Sequence, residues 1–308
     1  MIRLLAVVPL ISLITLIVVS LGACHRRPAP TGPPPTAAPP HDSLPAGWTA
    51  PSEPFRIAGN LYYVGSKNVA SYLFTTPEGH ILLDSGTAEM TPMVRRDIEK
   101  LGFAPAEIKV LLDSHAHFDH VGGHAALKRA SGARVMVMRA DAEAVASGVD
   151  RSPLGGDGWQ PVAVDRVLDD GDTVTLGGTT LQAIAAPGHT PGCTVWTTRI
   201  HEPDKDYTVV FYGCARPNNG VPLLHNPRFP HLVDDTLATF RRMRTLSPDI
   251  VLTMHPEHLL AGTIDRIRAG ARPHPLDDPG AWPKLLDETE AEFTALVERE
   301  RAAAGTAK

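Results

Sequence analysis

Positive charge is in short supply in this 308-residue sequence: 29 Lys and Arg stand against 34 Asp and Glu, a formal net charge of -5. The few basic pairs are scattered, so the stripe that binding to a phosphate backbone requires is missing, which excludes nucleic acid as a partner. Cysteine is scarcer still, at three residues, Cys24, Cys193 and Cys214, enough for one disulfide at most. No low-complexity break follows Pro51, which argues against a linker between two folded units in the roughly 250 residues beyond it. What remains, 43% hydrophobic and 20% charged, is an ordinary globular chain able to bury a sizeable core.

The N-terminus is a separate object. "MIR" followed by "LLAVVPLISLITLIVVS" has the positive start and apolar run of an export signal over residues 1–23. "LGAC" then resembles the lipobox of bacterial lipoproteins, which implies a lipid on Cys24 as the new N-terminus and no disulfide from that cysteine. His25 rather than Asp follows it; in a Gram-negative host the resemblance implies an exported protein on the periplasmic side of the outer membrane, touching the membrane only through that lipid. "RRPAPTGPPPTAAPPHDSLPAGWTAP" cannot form a packed core, so residues 24–53 read as a tether and 54–308 as the folded domain.

Within the domain, "LYYVG", "SYLFTT", "HILLDSG" and "IKVLLDS" read as strands, with a helix over Thr91–Leu101. The order repeats in "TVTLGGTTLQAIAA", "CTVWTTRI" and "TVVFYG", a helix near Val233–Leu246, the strand "DIVLTMH", and a C-terminal helix through "KLLDETEAEFTALVERE". Two such halves predict packed mixed sheets with helices outside.

The chemistry concentrates in "SHAHFDHVGG", at the end of the strand "IKVLL". Alternate residues of an extended chain point the same way, so His115 and His117 can share one metal ion. Asp119 and His120 follow at a helical turn that rotates them toward a second ion. Imidazole and carboxylate donors fit zinc, with iron or manganese left open by ligand type alone. Further ligands are expected at strand ends: His189 in the turn of "APGHTPG", and His255 closing "LTMH", with His258 its rival three residues on. His124 reads as a helix residue or a support for the ligands.

H-A-H-F-D-H, G-H-T-P-G and a strand-ending histidine together resemble the metallo-β-lactamase superfamily over Pro54–Gly270. The resemblance implies an αββα sandwich of the α+β class with two Zn²⁺ per chain, the first held by His115, His117 and His189 and the second by Asp119, His120 and His255. Most members that are not lactamases carry a metal-bridging aspartate in a pattern like F-x-G-D; here the strand reads "VVFYGCARP", with Cys214 in that place. The chain is therefore most similar to the third (B3-type) subclass of metallo-β-lactamases, which implies a monomer that takes a small-molecule β-lactam and opens its ring with a zinc-bound hydroxide oriented by Asp119, conferring antibiotic resistance. Other readings stay open: a glyoxalase-type thioesterase or lactonase, a non-catalytic zinc-binding lipoprotein, or a subclass in which Cys214 is itself a ligand. Where the third subclass often has serines for the substrate carboxylate, "CARPNNG" offers Arg216, Asn218 and Asn219 instead. Asp84 and Asp113 are expected to hold histidine tautomers.

Cys193 opens one strand and Cys214 closes the next across "EPDKD". A hairpin turning at Pro203 and Asp204 places facing residues whose numbers sum to 407, pairing Trp196 with Phe211 and Cys193 with Cys214. Directly opposed Cα atoms lie about 4.5–5.5 Å apart, within reach of a disulfide that an exported protein can keep; the other outcome is two reduced, buried thiols.

Overall fold

The computed structural model describes residues 44–214, 216–256 and 262–306. The expected signal segment, Cys24 and His258 lie outside these. In the first sheet the strands follow chain order: β1 (Phe55–Ala58), β2 (Leu61–Tyr63), β3 (Tyr72–Thr76), β4 (Gly79–Leu83), β5 (Ile108–Leu112), β6 (Arg134–Met138) and β7 (Arg166–Leu168). Neighbours are antiparallel as far as β4, with two-residue turns joining β1 to β2 and β3 to β4, and parallel from β4 to β7, where helices make the crossovers. The second sheet holds β8 (Thr173–Leu176), β9 (Thr179–Ala185), β10 (Thr194–His201), β11 (Asp206–Tyr212) and β12 (Ile250–Thr253), antiparallel except for the β11–β12 pair.

Alternation along these strands builds the layers. Ile81 and Leu83 of β4, Val110 and Leu112 of β5, and Met136 and Met138 of β6 point into a core shared with Trp196, Val209, Phe211 and Leu252 of the other sheet. The intervening Leu82, Leu111, Val135 and Val137 meet the helix layer of α2 (Thr91–Lys100), α4 (His124–Ser131) and α5 (Arg139–Ser147). Buried on both faces, such strands read as nearly unbroken apolar runs. On the far side, Val195, Val210, Tyr212 and Val251 pack against α6 (Leu232–Met243) and α8 (Ala281–Thr306). Trp282, Leu286, Phe293 and Val297 recur at helical spacing to give α8 one buried stripe. The result is the αββα sandwich the sequence predicts.

One detail differs from the sequence reading. Residues 44–53, read as tether, are folded: α1 (Ala46–Thr49) lies there, Lys67 N donates to Ala50 O at 3.0 Å, and Pro51 bridges to Ser66. Proline content signals loss of helix or ladder but is silent on docking, and Trp48 supplies the apolar contact that holds the segment. The hairpin register is as expected, with Trp196 facing Phe211 and His201 facing Asp206. Cys193 and Cys214 lie just beyond the ladder and are disulfide-bonded, at a Cα separation of 5.9 Å. This bond withdraws Cys214 from metal ligation.

Candidate metal centre

The site forms where β4, β5, β6, β11 and β12 end, on the edge shared by both sheets. Past Leu112 the chain does not stay extended: His117 N donates to His115 O at 3.0 Å, closing a tight turn around Ala116. The alternation argument for this histidine pair is therefore corrected. A turn, not a pleat, brings the rings together, with centroids 4.8 Å apart. The single helical turn α3 (Phe118–Val121) then presents Asp119 and His120 on another side. His189 sits in the loop after β9, beside Gly188, whose φ of 151° a side chain rarely adopts. His255 follows β12.

These six side chains fall into two groups. Potential ligand atoms of His115, His117 and His189 lie within 4.8 Å of one another, and so do those of Asp119, His120 and His255. Asp119 Oδ2 is 3.2 Å from His120 Nε2 and 3.4 Å from His255 Nε2. Four Nδ1 atoms are anchored to oxygen: His115 to Ser114 Oγ at 3.0 Å, His120 to Asp84 Oδ2 at 2.8 Å, His189 to Arg216 O at 2.7 Å and His255 to Asn68 O at 2.9 Å. Each such bond favours the ring proton on Nδ1, so that on metal binding the Nε2 lone pair is the one presented to the cluster. His115 Nε2 is buried with no hydrogen-bond partner among the described residues. Such an atom is costly unless a cation fills the gap, so the donors fit a divalent metal such as zinc.

Burial sets the protonation states. It pushes the His115 imidazole well below its ordinary value, His117 down to about 4 and His189 down to about 3. Burial opposes the charge on His120 too, but the Asp119 and Asp84 carboxylates outweigh it and push that ring up to about 10. Burial likewise disfavours the Asp119 carboxylate, yet His120 and hydrogen bonds from His120 and His255 hold it well below the usual range. His124, buried with Nδ1 2.7 Å from Ser85 Oγ, is pushed down to about 3 by burial alone.

Metal-free protein should accordingly lose stability as pH falls below about 6.5, where unfolded histidines take up protons. The depressed folded values of His117, His189 and His124 extend that loss down to about 4 and about 3. Through most of this window His120 is protonated in both states and Asp119 ionised in both, so neither offsets the loss, whereas the buried carboxyls of Asp113 and Asp141, which burial raises, work against it. Urea midpoints of metal-free protein measured from pH 7 to 4 check this; a flat profile would refute it.

The supporting residues only partly match expectation. Asp84 does hold a histidine, and it also accepts from Ser114 N at 2.6 Å and Ser114 Oγ at 2.8 Å. Asp113 does not: its Oδ1 has no partner among the described residues, and burial, with Asp141 and Asp84 nearby, pushes its carboxyl well above the usual range. Its backbone carbonyl, not its side chain, is used, accepting from Trp196 Nε1 at 2.9 Å. A cleft of 440 Å³ opens over the triads, walled by Trp48, Phe118 and Leu154 and lined by Asp150, Arg216 and Asn218. Asn219 does not line it and instead accepts from Arg216 Nη1 at 3.0 Å. The sequence reading missed Trp48, whose ring centroid is 5.6 Å from that of His255, and Asp150, whose Oδ2 is 3.9 Å from His117 Nε2. It also missed Asp141, which bonds both histidine loops of the first group.

Two His/Asp triads under an open cleft, at one edge of an αββα sandwich, define the class as metal-dependent hydrolase. The chain belongs to the metallo-β-lactamase superfamily, whose family model matches residues 64–255. Among solved structures it is similar to the metallo-β-lactamase FEZ-1 of Legionella gormanii, at 35% identity and a TM-score of 0.78 over 82% of this chain and 98% of that one. The subclass B3 enzyme BJP-1 of Bradyrhizobium japonicum gives 35% identity and a TM-score of 0.78 over 84% and 98% of the two chains. Among curated proteins, an N-acyl homoserine lactonase of Azorhizobium caulinodans is 26% identical over 70% of this chain and 84% of its own length. A probable metallo-hydrolase of Burkholderia pseudomallei is 32% identical over 34% of this chain, which spans only 36% of that relative.

Proposed function

We propose that the protein is a zinc-dependent β-lactamase of the B3 type, with His115, His117 and His189 holding one zinc ion and Asp119, His120 and His255 the other. The observation that carries this reading is the pair of triads completed without a bridging aspartate, Cys214 being tied to Cys193 in its place. Likeness to FEZ-1 and BJP-1, over 98% of each of those chains and 82% and 84% of this one, supports it. Bound zinc supplies Lewis acidity, which activates water near neutral pH and polarises a carbonyl. Asp119 accepts hydrogen bonds, so besides ligating it orients the attacking water. Trp48, Phe118 and Leu154 pack against the apolar faces of the substrate and exclude bulk water. Arg216, the only Lys or Arg lining the cleft among the described residues, together with Asn218, takes the substrate carboxylate in exchange for contacts its guanidinium now makes with Glu292 at 3.2 Å and Asn219 at 3.0 Å.

A lactonase or thioesterase is the second reading, supported by similarity to the Azorhizobium lactonase. Zinc-loaded protein assayed against penicillins, cephalosporins, carbapenems, thioesters and homoserine lactones separates the two. Opening of a β-lactam with kcat/KM well above that for the esters is expected; efficient ester cleavage with every β-lactam intact defeats the proposal.

We propose further, from the lipobox-like "LGAC", that the protein lies on the periplasmic side of the outer membrane, held by a lipid on Cys24 and working as a monomer. Cys24→Ser should move it from the membrane fraction to the soluble fraction. Absence of label on the wild type after growth with a tagged fatty acid would remove that claim.

A further inference from the structure

We infer that Asp141 is a positioning residue that sets the spacing of the first metal triad, although it touches none of the three histidines. It lies in the first turn of α5 and is 1% exposed. Its Oδ2 accepts from Ala116 N at 2.9 Å and from Thr190 Oγ1 at 2.6 Å, and its Oδ1 accepts from Gly192 N at 2.7 Å. Ala116 is the residue between His115 and His117, while Thr190 follows His189. One carboxylate therefore ties together the two segments that carry the triad, across sequence separations of 25, 49 and 51 residues.

Two observations show that the arrangement is built for this carboxylate. A Cβ on Gly192 would lie 2.4 Å from Asp141 N and 2.7 Å from Asp141 Cβ, so that loop reaches the carboxylate only because it has glycine there. All three partners are donors, and a carboxylate offers acceptors only. An amide of the same shape must turn its NH₂ either toward Gly192 N–H or toward Ala116 N–H and the Thr190 hydroxyl. Either way a buried donor faces a donor, and one loop is pushed from the other. Ligand rings need placement to about 0.5 Å for tight binding. The second triad has separate anchors in Asp84 and Asn68, so the disturbance falls on the first ion.

The inference rests on the metal-binding reading of the triads, and its test separates the two. Full-length mature protein, stripped and then titrated with zinc against a chromophoric chelator, is compared with Asp141→Asn and Thr190→Val. Asp141→Asn should weaken one of the two zinc-binding steps by about 10- to 100-fold, the range for loss of a group that orients metal ligands. Thr190→Val, which removes one donor while keeping the shape, should weaken the same step less, and both variants should retain the other step. A lower unfolding midpoint with both zinc affinities within twofold of wild type would make Asp141 merely structural and overturn the inference. Should Asp141→Asn fail to fold, unchanged zinc affinity in Thr190→Val overturns it equally. Wild type that bound no zinc would defeat the metal reading itself, and the inference with it.

Discussion

Dialysis against a chelator lowers hydrolysis by on the order of a thousandfold or more, and added zinc restores it. Lewis-acid stabilisation of a developing charge contributes several kcal/mol, and about 4 kcal/mol corresponds to a factor of about a thousand in rate. The side chains left behind have no substitute for it: His115, His117 and His189 are held neutral by burial and Asp119 is held by histidines. Unfolding is not the cause expected for the loss, because none of the six ligand side chains belongs to the inter-sheet or sheet–helix cores. Circular dichroism of the chelated protein should stay native while turnover disappears. His189→Ala and His255→Ala should reproduce the loss, whereas His258→Ala should leave activity within a few-fold of wild type. Full activity in chelated protein, or in His255→Ala, would overturn the assignment of these ligands.

How much of this site could be read from the sequence follows from how local each feature is. His115, His117, Asp119 and His120 lie within one turn and a single helical turn, so their spacing alone betrays them, even though the backbone conformation inferred for the first pair was wrong. His189 and His255 are farther off, but each ends an apolar run in a turn, and strand ends are where such folds place ligands. The residues that orient the ligands leave no such trace. His255 is held by a carbonyl 187 residues away, and the loop of His115 by a carboxylate 25 residues on. A backbone carbonyl has no sequence signature at all, and Asp141 at the head of a helix reads as a common helix-start residue. Asp113 misled for the converse reason: adjacency to the motif is not contact with it. The layers were easier, because short, nearly unbroken apolar runs in strands covered on both faces and the stripe on α8 are one-dimensional patterns. Trp48 escaped because a proline-rich composition describes the chain leading up to it and not the surface it lands on.

Asp84→Ala destabilises the metal-free protein by about 3–5 kcal/mol, the cost of stranding a buried charge. Asp84 is fully buried and accepts from His120 Nδ1 at 2.8 Å, while His120, pressed between two carboxylates, is pushed up to about 10 and is therefore a cation at neutral pH. Removing the carboxylate also strands Ser114 N–H, which it accepts at 2.6 Å, whereas the φ of 57° strains aspartate and alanine alike, each having a Cβ, and adds little to the difference between them. Comparison with Asp84→Gly, which adopts that φ freely, separates the backbone share from the charge share. Asp84→Asn keeps the shape and tests the chemistry. Ser114 Oγ donates to Asp84 Oδ2 at 2.8 Å and lies 3.0 Å from His115 Nδ1, so this one carboxylate orients His120 directly and His115 through a hydroxyl. An amide NH₂ facing His120 turns Nδ1 into the acceptor and moves the ring proton to Nε2, the atom that faces Asp119 and its triad. Zinc affinity should fall by about 10- to 100-fold in Asp84→Asn, with an unfolding midpoint closer to wild type than that of Asp84→Ala. Denaturant titration of the three metal-free variants and a zinc competition assay measure both effects. Wild-type zinc affinity in Asp84→Asn would show that His120 keeps its tautomer without Asp84, and that the carboxylate serves the fold alone.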